Sequence, residues 1–242
     1  MSVAPRMMLK LSGEVLAGEG GSGLDDGILL EVASQLTKAL AEEARLAVVL
    51  GGGNIFRGLS SVAKDMDRVT ADQMGMLATI INGLALKDAV HRSGGKAELF
   101  TAFPVGAVGQ PYRRDDVSDA MDAGALAILS GGTGNPFFST DSAAALRAAE
   151  LGCEVFLKGT KVDGVYDKDP VRFKNAVRFE TISIDEVLER RLGVLDLTAA
   201  TLCRENGIDI RVYKMTDVDI IYRVASGDAC GTLVTTSPSA SL

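Results

Sequence analysis

One stretch of the chain reads Ala125-Leu-Ala-Ile-Leu129, then Gly131-Gly-Thr-Gly-Asn-Pro-Phe-Phe-Ser-Thr-Asp141, then Ser142-Ala-Ala-Ala-Leu-Arg-Ala-Ala-Glu150. A short apolar run before glycines predicts a buried strand, and an alanine-rich stretch predicts a helix. The glycine-rich loop therefore joins a strand end to a helix start, which is where open α/β sheets bind ligands. Its glycines and the helix N-terminus suit an anion. The alternative is ordinary turn chemistry, in which Ser139, Thr140 or Asp141 only caps the helix.

Three further glycine-containing loops follow predicted strands, namely Met7–Ser12, Arg45–Leu50 and Cys153–Lys158. Strands and helices alternate along the whole chain, which predicts an α/β fold. We expect a three-layer α/β/α sandwich with a central, mostly parallel twisted sheet. Right-handed crossovers would bring the four loops to one edge of that sheet. Residues 1–242 form one predicted domain, and 236–242 are predicted to be a disordered tail.

A long helix is predicted over residues 70–92. Its broad apolar face carries Met74, Leu77, Ile80, Ile81, Leu84 and Ala85. Such a face normally packs against a core, and we expect Met74 and Met76 to fill that core. Asp72 lies in the first turn, where interaction with the helix dipole is a sufficient explanation.

Composition narrows the possible classes of function. The 242-residue chain is 47% hydrophobic and 24% charged, which is typical of a globular protein. Its net charge of −7 argues against nucleic-acid binding, and no apolar run approaches a membrane span. We expect no signal peptide, because Met1–Arg6 lacks a following apolar stretch, and three widely spaced cysteines without a CxxC pair predict neither disulfides nor a metal site. We therefore expect a cytoplasmic protein. His91 is the only histidine and is expected on a helix surface, which disfavours histidine-based catalysis.

Cations occur near the predicted loops. Lys10 interrupts a buried strand, where a lysine is costly unless an anion faces it; otherwise Lys10 lies on an edge strand and reaches water. Arg57 could hold a phosphate or remain a solvated loop residue. Lys158 and Lys161 add two charges at the fourth loop. Cations and helix N-termini are what phosphoryl transfer requires, because the protein contributes positioning and charge neutralisation.

Gly18-Glu-Gly-Gly-Ser-Gly23 matches the GxGxxG pattern of dinucleotide-binding proteins. That pattern requires a strand directly before its first glycine, and Glu14-Val-Leu-Ala17 intervenes here. We expect a flexible loop, with a ligand-binding role as the alternative.

Five segments taken together resemble the bacterial uridylate (UMP) kinases, which belong to the amino-acid kinase superfamily. They are Lys10-Leu-Ser-Gly-Glu14, Gly51-Gly-Gly-Asn-Ile-Phe-Arg-Gly58, Asp72-Gln-Met-Gly-Met-Leu-Ala-Thr79, Thr133-Gly-Asn-Pro-Phe-Phe-Ser-Thr-Asp141 and Lys158-Gly-Thr-Lys-Val-Asp-Gly-Val-Tyr166. The combination of Asp72-x-Met-Gly-Met with Gly134-Asn-Pro-Phe-Phe is specific to the UMP kinases. One departure is Gly159, where family members often carry alanine.

The resemblance implies transfer of the γ-phosphoryl group of ATP to UMP, with Mg²⁺ on the nucleotide phosphates and no dedicated metal site. The implied catalytic residues are Lys10, Arg57, Asp141 and Asp196, although Asp196 could equally be a helix cap. The implied ATP-binding residues are Lys10, Leu11, Ser12, Gly13, Gly53, Arg57, Thr160, Tyr166 and Asp169. The implied UMP-binding residues are Gly52, Asp72, Thr133, Gly134, Asn135, Pro136, Phe137, Phe138, Ser139 and Thr140, with Asp72 on the ribose.

The same resemblance implies a homo-oligomer, typically a hexamer, that is activated by GTP and inhibited by UTP. The GTP-responsive segment of some relatives corresponds to Gly18, Glu19, Gly20, Gly21, Ser22 and Gly23. Two other functions stay open. A carboxylate kinase of the acetylglutamate kinase type is disfavoured because Asp72 would repel the acceptor carboxylate. A non-catalytic nucleotide sensor would need neither Lys10 nor Asp141.

Overall fold

The computed structural model describes residues 5–56, 66–193, 195–215, 217 and 219–236. Within these residues nine strands form one sheet. They are β1 (Arg6–Leu11), β2 (Arg45–Leu50), β3 (Ala97–Thr101), β4 (Gln110–Pro111), β5 (Leu126–Ser130), β6 (Val155–Thr160), β7 (Thr181–Ser183), β8 (Asp209–Lys214) and β9 (Thr232–Thr235). The order across the sheet is β4-β3-β5-β2-β1-β6-β8-β9-β7, and each neighbouring pair is parallel except β8 with β9.

Helices cover both faces of this sheet. They are α1 (Asp26–Ala41), α2 (Arg68–Arg92), α3 (Arg114–Asp122), α4 (Thr140–Glu150), α5 (Ile184–Glu189), α6 (Leu197–Glu205) and α7 (Ile220–Ala225). Helices α1, α2 and α7 build one apolar core with the sheet, and α3 to α6 build the other. The predicted three-layer α/β/α sandwich is therefore confirmed. No helix in the described ranges has the length and hydropathy of a membrane span.

Strand β1 lies in the middle of the sheet. It pairs with β2 on one side and with β6 on the other, so that Lys10 lies opposite both Val49 and Lys158. The alternative in which Lys10 sits on an edge strand is therefore wrong. A lysine in a central strand must be compensated by a nearby anion, because an unpaired buried charge is costly.

The shortest strands were not predicted from the sequence. Strands β4 and β7 have two and three residues, which is too few for a pattern of alternation. A 3-10 helix after β1 was not predicted either: it spans Gly13–Gly20, and Gly21 and Gly23 follow with left-handed φ angles of 68° and 77°. Residues 18–20 of the predicted loop therefore belong to the 3-10 helix, residues 21–23 form the turn after it, and the flexibility of the segment stays a prediction.

Four of the six residues of the predicted apolar face of α2 turn toward solvent, whereas Ile80 is buried and Ala85 packs against the core as expected. Met74, Leu77, Ile81 and Leu84 are 38%, 48%, 47% and 40% exposed. The side that meets the sheet carries small or polar residues such as Ala78, Thr79, Asn82 and Gly83. Helix and sheet approach closely there: a Cβ on Gly83 would lie 2.4 Å from Ser130 Oγ. Expecting Met74 in the core was wrong, whereas Met76 is buried.

The end of the described chain is anchored. Thr236 donates hydrogen bonds of 2.8 Å from its N–H and 3.0 Å from its hydroxyl to Asp209 Oδ1. Residues 237–242 of the predicted tail lie outside the described residues.

Candidate active site

Two buried lysines and one carboxylate meet where β1, β6 and α4 converge. Lys10 Nζ lies 3.1 Å from Asp141 Oδ1, and Lys158 donates a hydrogen bond to Asp141 Oδ2. The three side chains are 13%, 10% and 13% exposed for Lys10, Lys158 and Asp141. Parallel pairing of β1 with β6 brings the lysines side by side. Asp141 is thus the anion that Lys10 requires.

Asp141 does not cap its helix. Ser139 is the N-cap of α4 and accepts a hydrogen bond of 3.0 Å from the Ser142 N–H. Asp141 follows in the first helical turn, where the partial positive charge of the helix N-terminus also favours a carboxylate. The alternative of simple helix capping therefore applies to Ser139 and leaves Asp141 to the lysines.

At Asp141 and at Lys158 alike, burial and the ion pairs shift the pKa in opposite directions. Burial by itself would raise the pKa of Asp141, but the Lys10 and Lys158 ammonium groups outweigh it and lower that pKa below its usual 3.8. Burial lowers the pKa of Lys158 from its usual value, although the Asp141 carboxylate opposes that change. The cluster therefore holds an ionised carboxylate next to lysines that are largely removed from water.

A small cavity of about 160 Å³ opens between α2 and the loop after β5. Of the predicted UMP-binding residues, those that line it are Gly52, Asp72, Asn135, Phe138, Ser139 and Thr140. Gly53, predicted on the ATP side, also lines it. Asp72 accepts a hydrogen bond of 2.7 Å from the Phe137 N–H and pairs with Arg68 at 2.9 Å, so it holds the loop against α2. Its role is more specific than interaction with the helix dipole.

The remaining residues of that loop shape it from within. Thr133 Oγ1 accepts from the Asn135 N–H at 3.1 Å and donates to the Asn135 carbonyl at 3.1 Å. Gly134 adopts a left-handed φ of 81°, and Phe137 adopts 71° with its ring exposed. Thr133, Gly134, Pro136 and Phe137 do not line the 160 Å³ cavity.

A larger cavity of about 630 Å³ lies beyond β6. The predicted ATP residues Thr160, Tyr166 and Asp169 line it together with Lys158. The Tyr166 hydroxyl donates a hydrogen bond of 2.6 Å to Asp163 Oδ1, which fixes the ring on the loop after β6. Lys158 therefore connects this cavity to the charged cluster at Asp141.

Most of the other predicted ATP residues that the structure describes line neither of these two cavities. Lys10 and Ser12 line a third cavity, of about 610 Å³, on the α1 side of the sheet. The Leu11 side chain is buried in the core, and the Leu11 carbonyl accepts a hydrogen bond of 2.9 Å from the Gly51 N–H. Gly13 packs directly against Gly51. Arg57, and with it the choice between phosphate contact and solvated loop, lies outside the described residues.

Asp196 is a helix cap that also contacts α4. It accepts a hydrogen bond of 2.7 Å from the Ala199 N–H at the start of α6. It also accepts one of 3.0 Å from Ser142 Oγ and another from Ser139 Oγ. The capping role is therefore confirmed, while a catalytic role for Asp196 stays a prediction.

Three residues that shape the site have no role predicted from the sequence. Lys158 was noted only as a charge, although it interrupts an apolar strand in the same way as Lys10. Thr79 and Asn82 are polar, buried residues of α2, and they bind the Gly131 N–H at 2.8 Å and the Gly51 carbonyl at 2.7 Å. Polar residues within an otherwise apolar helix were the available signal.

Metal-binding groups are sparse in the described ranges. There, no group of three or more histidine, cysteine, aspartate or glutamate side chains is arranged to hold a metal ion. Cys153, Cys203 and Cys230 are free thiols.

Both the sequence and the fold are similar to those of known proteins. Residues 5–214 match the sequence profile described as the amino acid kinase family. The chain is 48% identical to a uridylate kinase of Magnetococcus marinus, covering 96% of each chain. It is 46% identical to a uridylate kinase of Bacteroides thetaiotaomicron, covering 97% of this chain and 99% of that one. The crystal structure of a UMP kinase from Bacillus anthracis superposes with a TM-score of 0.92, at 31% identity over 97% of each chain.

Proposed function

This chain belongs to the amino acid kinase family, and we propose that it is a UMP kinase, which transfers the γ-phosphoryl group of ATP to UMP and yields UDP and ADP. The observation that carries the proposal is the cluster of Lys10, Asp141 and Lys158, next to a 630 Å³ cavity that Lys158 lines and a 160 Å³ cavity that Thr140 lines. We assign the small cavity to UMP and the large one to the ATP base and ribose.

The proposed chemistry follows from these charges. An attacking UMP phosphate oxygen displaces ADP from the γ-phosphorus, and the negative charge on the transferring group has to be compensated while it moves. Lys10 and Lys158 provide fixed positive charge, and Asp141 fixes the positions of both ammonium groups. Groups that are already oriented in a site shielded from water contribute more than the same groups in solution. No covalent intermediate on the protein is required.

The acceptor side favours a nucleotide over a carboxylate. Asp72 lines the small cavity and is an acceptor only, with room for several donors on its two oxygens. Ribose hydroxyls can donate to it, whereas an acceptor carboxylate would be repelled. This argues against a carboxylate kinase of the same family.

We propose that Mg²⁺ binds together with ATP. When bound, it neutralises charge on the phosphates and draws electrons from the transferring group. In the described ranges the acidic residues at the site are engaged by lysines, arginine or backbone N–H groups, as Asp141 and Asp72 are. We therefore assign the metal to the ATP phosphates, with no protein side chain dedicated to it.

Assembly and regulation are further parts of the proposal. Support for a homo-oligomer comes from the apolar stripe on α2 formed by Met74, Leu77, Ile81 and Leu84, which is exposed in the single chain. The hexamer rests on the family resemblance. Activation by GTP, with Gly18–Gly23 as the responsive segment, and inhibition by UTP rest on the family resemblance. We also propose a cytoplasmic enzyme of pyrimidine nucleotide synthesis.

The testing experiment is an ADP-release assay with ATP and Mg²⁺ against UMP, CMP, AMP and N-acetylglutamate in parallel, with and without GTP. We expect release with UMP alone. Release with N-acetylglutamate would mean that the acceptor is a carboxylate. Binding of ATP and UMP without release from any acceptor would support a nucleotide sensor.

A further inference from the structure

Two buried asparagines form a reciprocal amide pair beneath the glycine-rich loop after β2. Asn54 is 3% exposed and Asn82, on α2, is fully buried. Asn54 Nδ2 donates to Asn82 Oδ1 at 3.0 Å, and Asn82 Nδ2 donates to Asn54 Oδ1 at 2.8 Å. Buried amides are costly unless each donor has a partner.

The remaining amide hydrogens of the pair reach two separate segments. Asn82 Nδ2 donates to the Gly51 carbonyl at 2.7 Å, and Asn54 Nδ2 donates to the Gly23 carbonyl at 2.7 Å. Gly23 also donates its N–H to the Asn54 carbonyl at 2.8 Å. All four side-chain N–H donors are therefore used, and such a satisfied network is rigid.

A third segment rests on the same pair. A Cβ on Gly13 would lie 2.4 Å from the Gly51 carbonyl oxygen and 2.5 Å from Asn54 Oδ1. Gly13 is therefore in direct contact with the Gly51 carbonyl and with the Asn54 side chain. Gly13 and Gly53 are predicted to lie at the ATP phosphates. The asparagine pair therefore supports both backbone segments that would contact those phosphates.

We propose that Asn82 and Asn54 are positioning residues that set the geometry of Gly13 and of the loop Gly51–Gly53 for phosphoryl transfer, an inference that rests on the proposed kinase function. Neither side chain touches substrate; each acts through backbone that does. The same pair joins this loop to Gly23, so the position of the 18–23 segment is coupled to that of the loop. A misplacement of about 1 Å at a reacting group can reduce the rate about 100-fold, which makes such support kinetically visible.

The first test compares Asn82→Ala and Asn54→Ala with a matched control. Arg147→Met removes the charge of a buried polar side chain on α4 that donates a hydrogen bond of 2.7 Å to Glu150 Oε2 and lines none of the three cavities. At temperatures where each variant is folded, we expect kcat with UMP to fall at least about tenfold in both asparagine variants and to stay within about twofold in the control. The KM for UMP should rise as well, because Gly52 and Gly53 of the displaced loop line the acceptor cavity, while Asp72 and Thr79 hold the loop after β5 separately.

Two further variants sharpen the result. Asn82→Asp keeps the shape of the side chain but replaces the donating NH₂ group by oxygen, and the same loss of kcat is expected. The double variant Asn54→Ala/Asn82→Ala should be within about twofold of the worse single variant, because the two residues act as one unit. A kcat within about twofold of the parent in the folded Asn82 variants would overturn the proposal.

Amide hydrogen exchange of the nucleotide-free protein tests the positioning independently of any activity. Exchange at Gly13 and at Gly51–Gly53 should be at least about tenfold faster in Asn82→Ala or Asn54→Ala than in the parent, and unchanged in Arg147→Met. If the parent does not phosphorylate UMP, the proposed function fails while this measurement still judges the structural link. Unaltered exchange at these glycines would refute the link even in an active kinase.

Discussion

At the residue scale, Asp141 is the one carboxylate among the described residues that contacts both buried lysines of the site. We predict that Asp141→Asn lowers kcat at least about tenfold while UMP still binds, because the lysines lose the charge that orients them. Steady-state kinetics and calorimetric UMP titration measure the two effects. Asp122→Asn is the control, because Asp122 also pairs with two cations, Arg6 and Arg45, but at the opposite end of the strands. Unchanged turnover in Asp141→Asn would remove Asp141 from the catalytic role.

The same substitution has a pH signature. The pKa of Asp141 is lower in the folded protein than its usual 3.8. Its contribution to stability is therefore complete above pH 3.8 and is lost as the pH falls through the lower folded value. Urea unfolding should give a parent-minus-variant difference of roughly 3–5 kcal/mol at pH 7 that shrinks toward pH 3. A difference that does not vary with pH would contradict this assignment.

The Met215 side chain fills the space next to Gly159, which has no side chain of its own. A Cβ at this position would lie 2.0 Å from Met215 Sδ, so the methionine occupies the space that an alanine would need. We predict that Gly159→Ala costs about 1–3 kcal/mol of unfolding free energy. In the double variant with Met215→Ala the cost should be at least about 0.5 kcal/mol below the sum of the single variants, measured by urea denaturation. Additive costs would mean that the contact is relieved elsewhere.

At the element scale, α2 presents two faces with different tasks. Its inner face holds the loops through Asp72, Thr79 and Asn82, whereas its outer face is the apolar stripe. If a second copy covers that stripe, a charge there should prevent association, because an unpaired charge in an apolar interface is costly. We predict that Leu77→Glu lowers the mass measured by light scattering to that of a smaller species.

The control for this prediction is Val171→Glu. Val171 is 85% exposed, also apolar, and lies on the loop after β6. Its substitution should leave the mass unchanged. A parent protein that is monomeric at micromolar concentration would refute the oligomer, and dissociation by both substitutions would mean that the stripe is not the specific interface.

At the scale of the whole molecule, the two cavities have separate linings: Lys158 lines the larger one, and Thr140, which precedes Asp141, lines the smaller one. We therefore predict that UMP and a non-hydrolysable ATP analogue each raise the Tm in the absence of the other. At a ligand concentration of 100 times the Kd, each would stabilise the folded protein by about 2.7 kcal/mol. Tyr166→Ala should abolish the shift by the ATP analogue and keep the shift by UMP. Loss of both shifts would mean that Tyr166 supports the fold and not one ligand.

The fold was largely predictable because its elements are encoded locally. Apolar runs such as Arg45–Leu50 and helical patterns such as that of α1 identify themselves within a few residues. Glycine-rich loops after the strands then placed the site at one edge of the sheet. Very short strands, the 3-10 helix and the outward orientation of the α2 stripe were missed, because each depends on what a distant segment packs against it.

The sequence alone determined the alternation of strands and helices, the loops that carry the site, and, through motif resemblance, the family. The tertiary structure decided that Lys10 lies in a central strand, that Asp141 joins it to Lys158, and that Asn54 and Asn82 share one amide network. The physical reason is range. Backbone propensity and apolar periodicity act between near neighbours in the chain, whereas ion pairs and buried hydrogen bonds depend on groups that only the packed sheet and helices bring together.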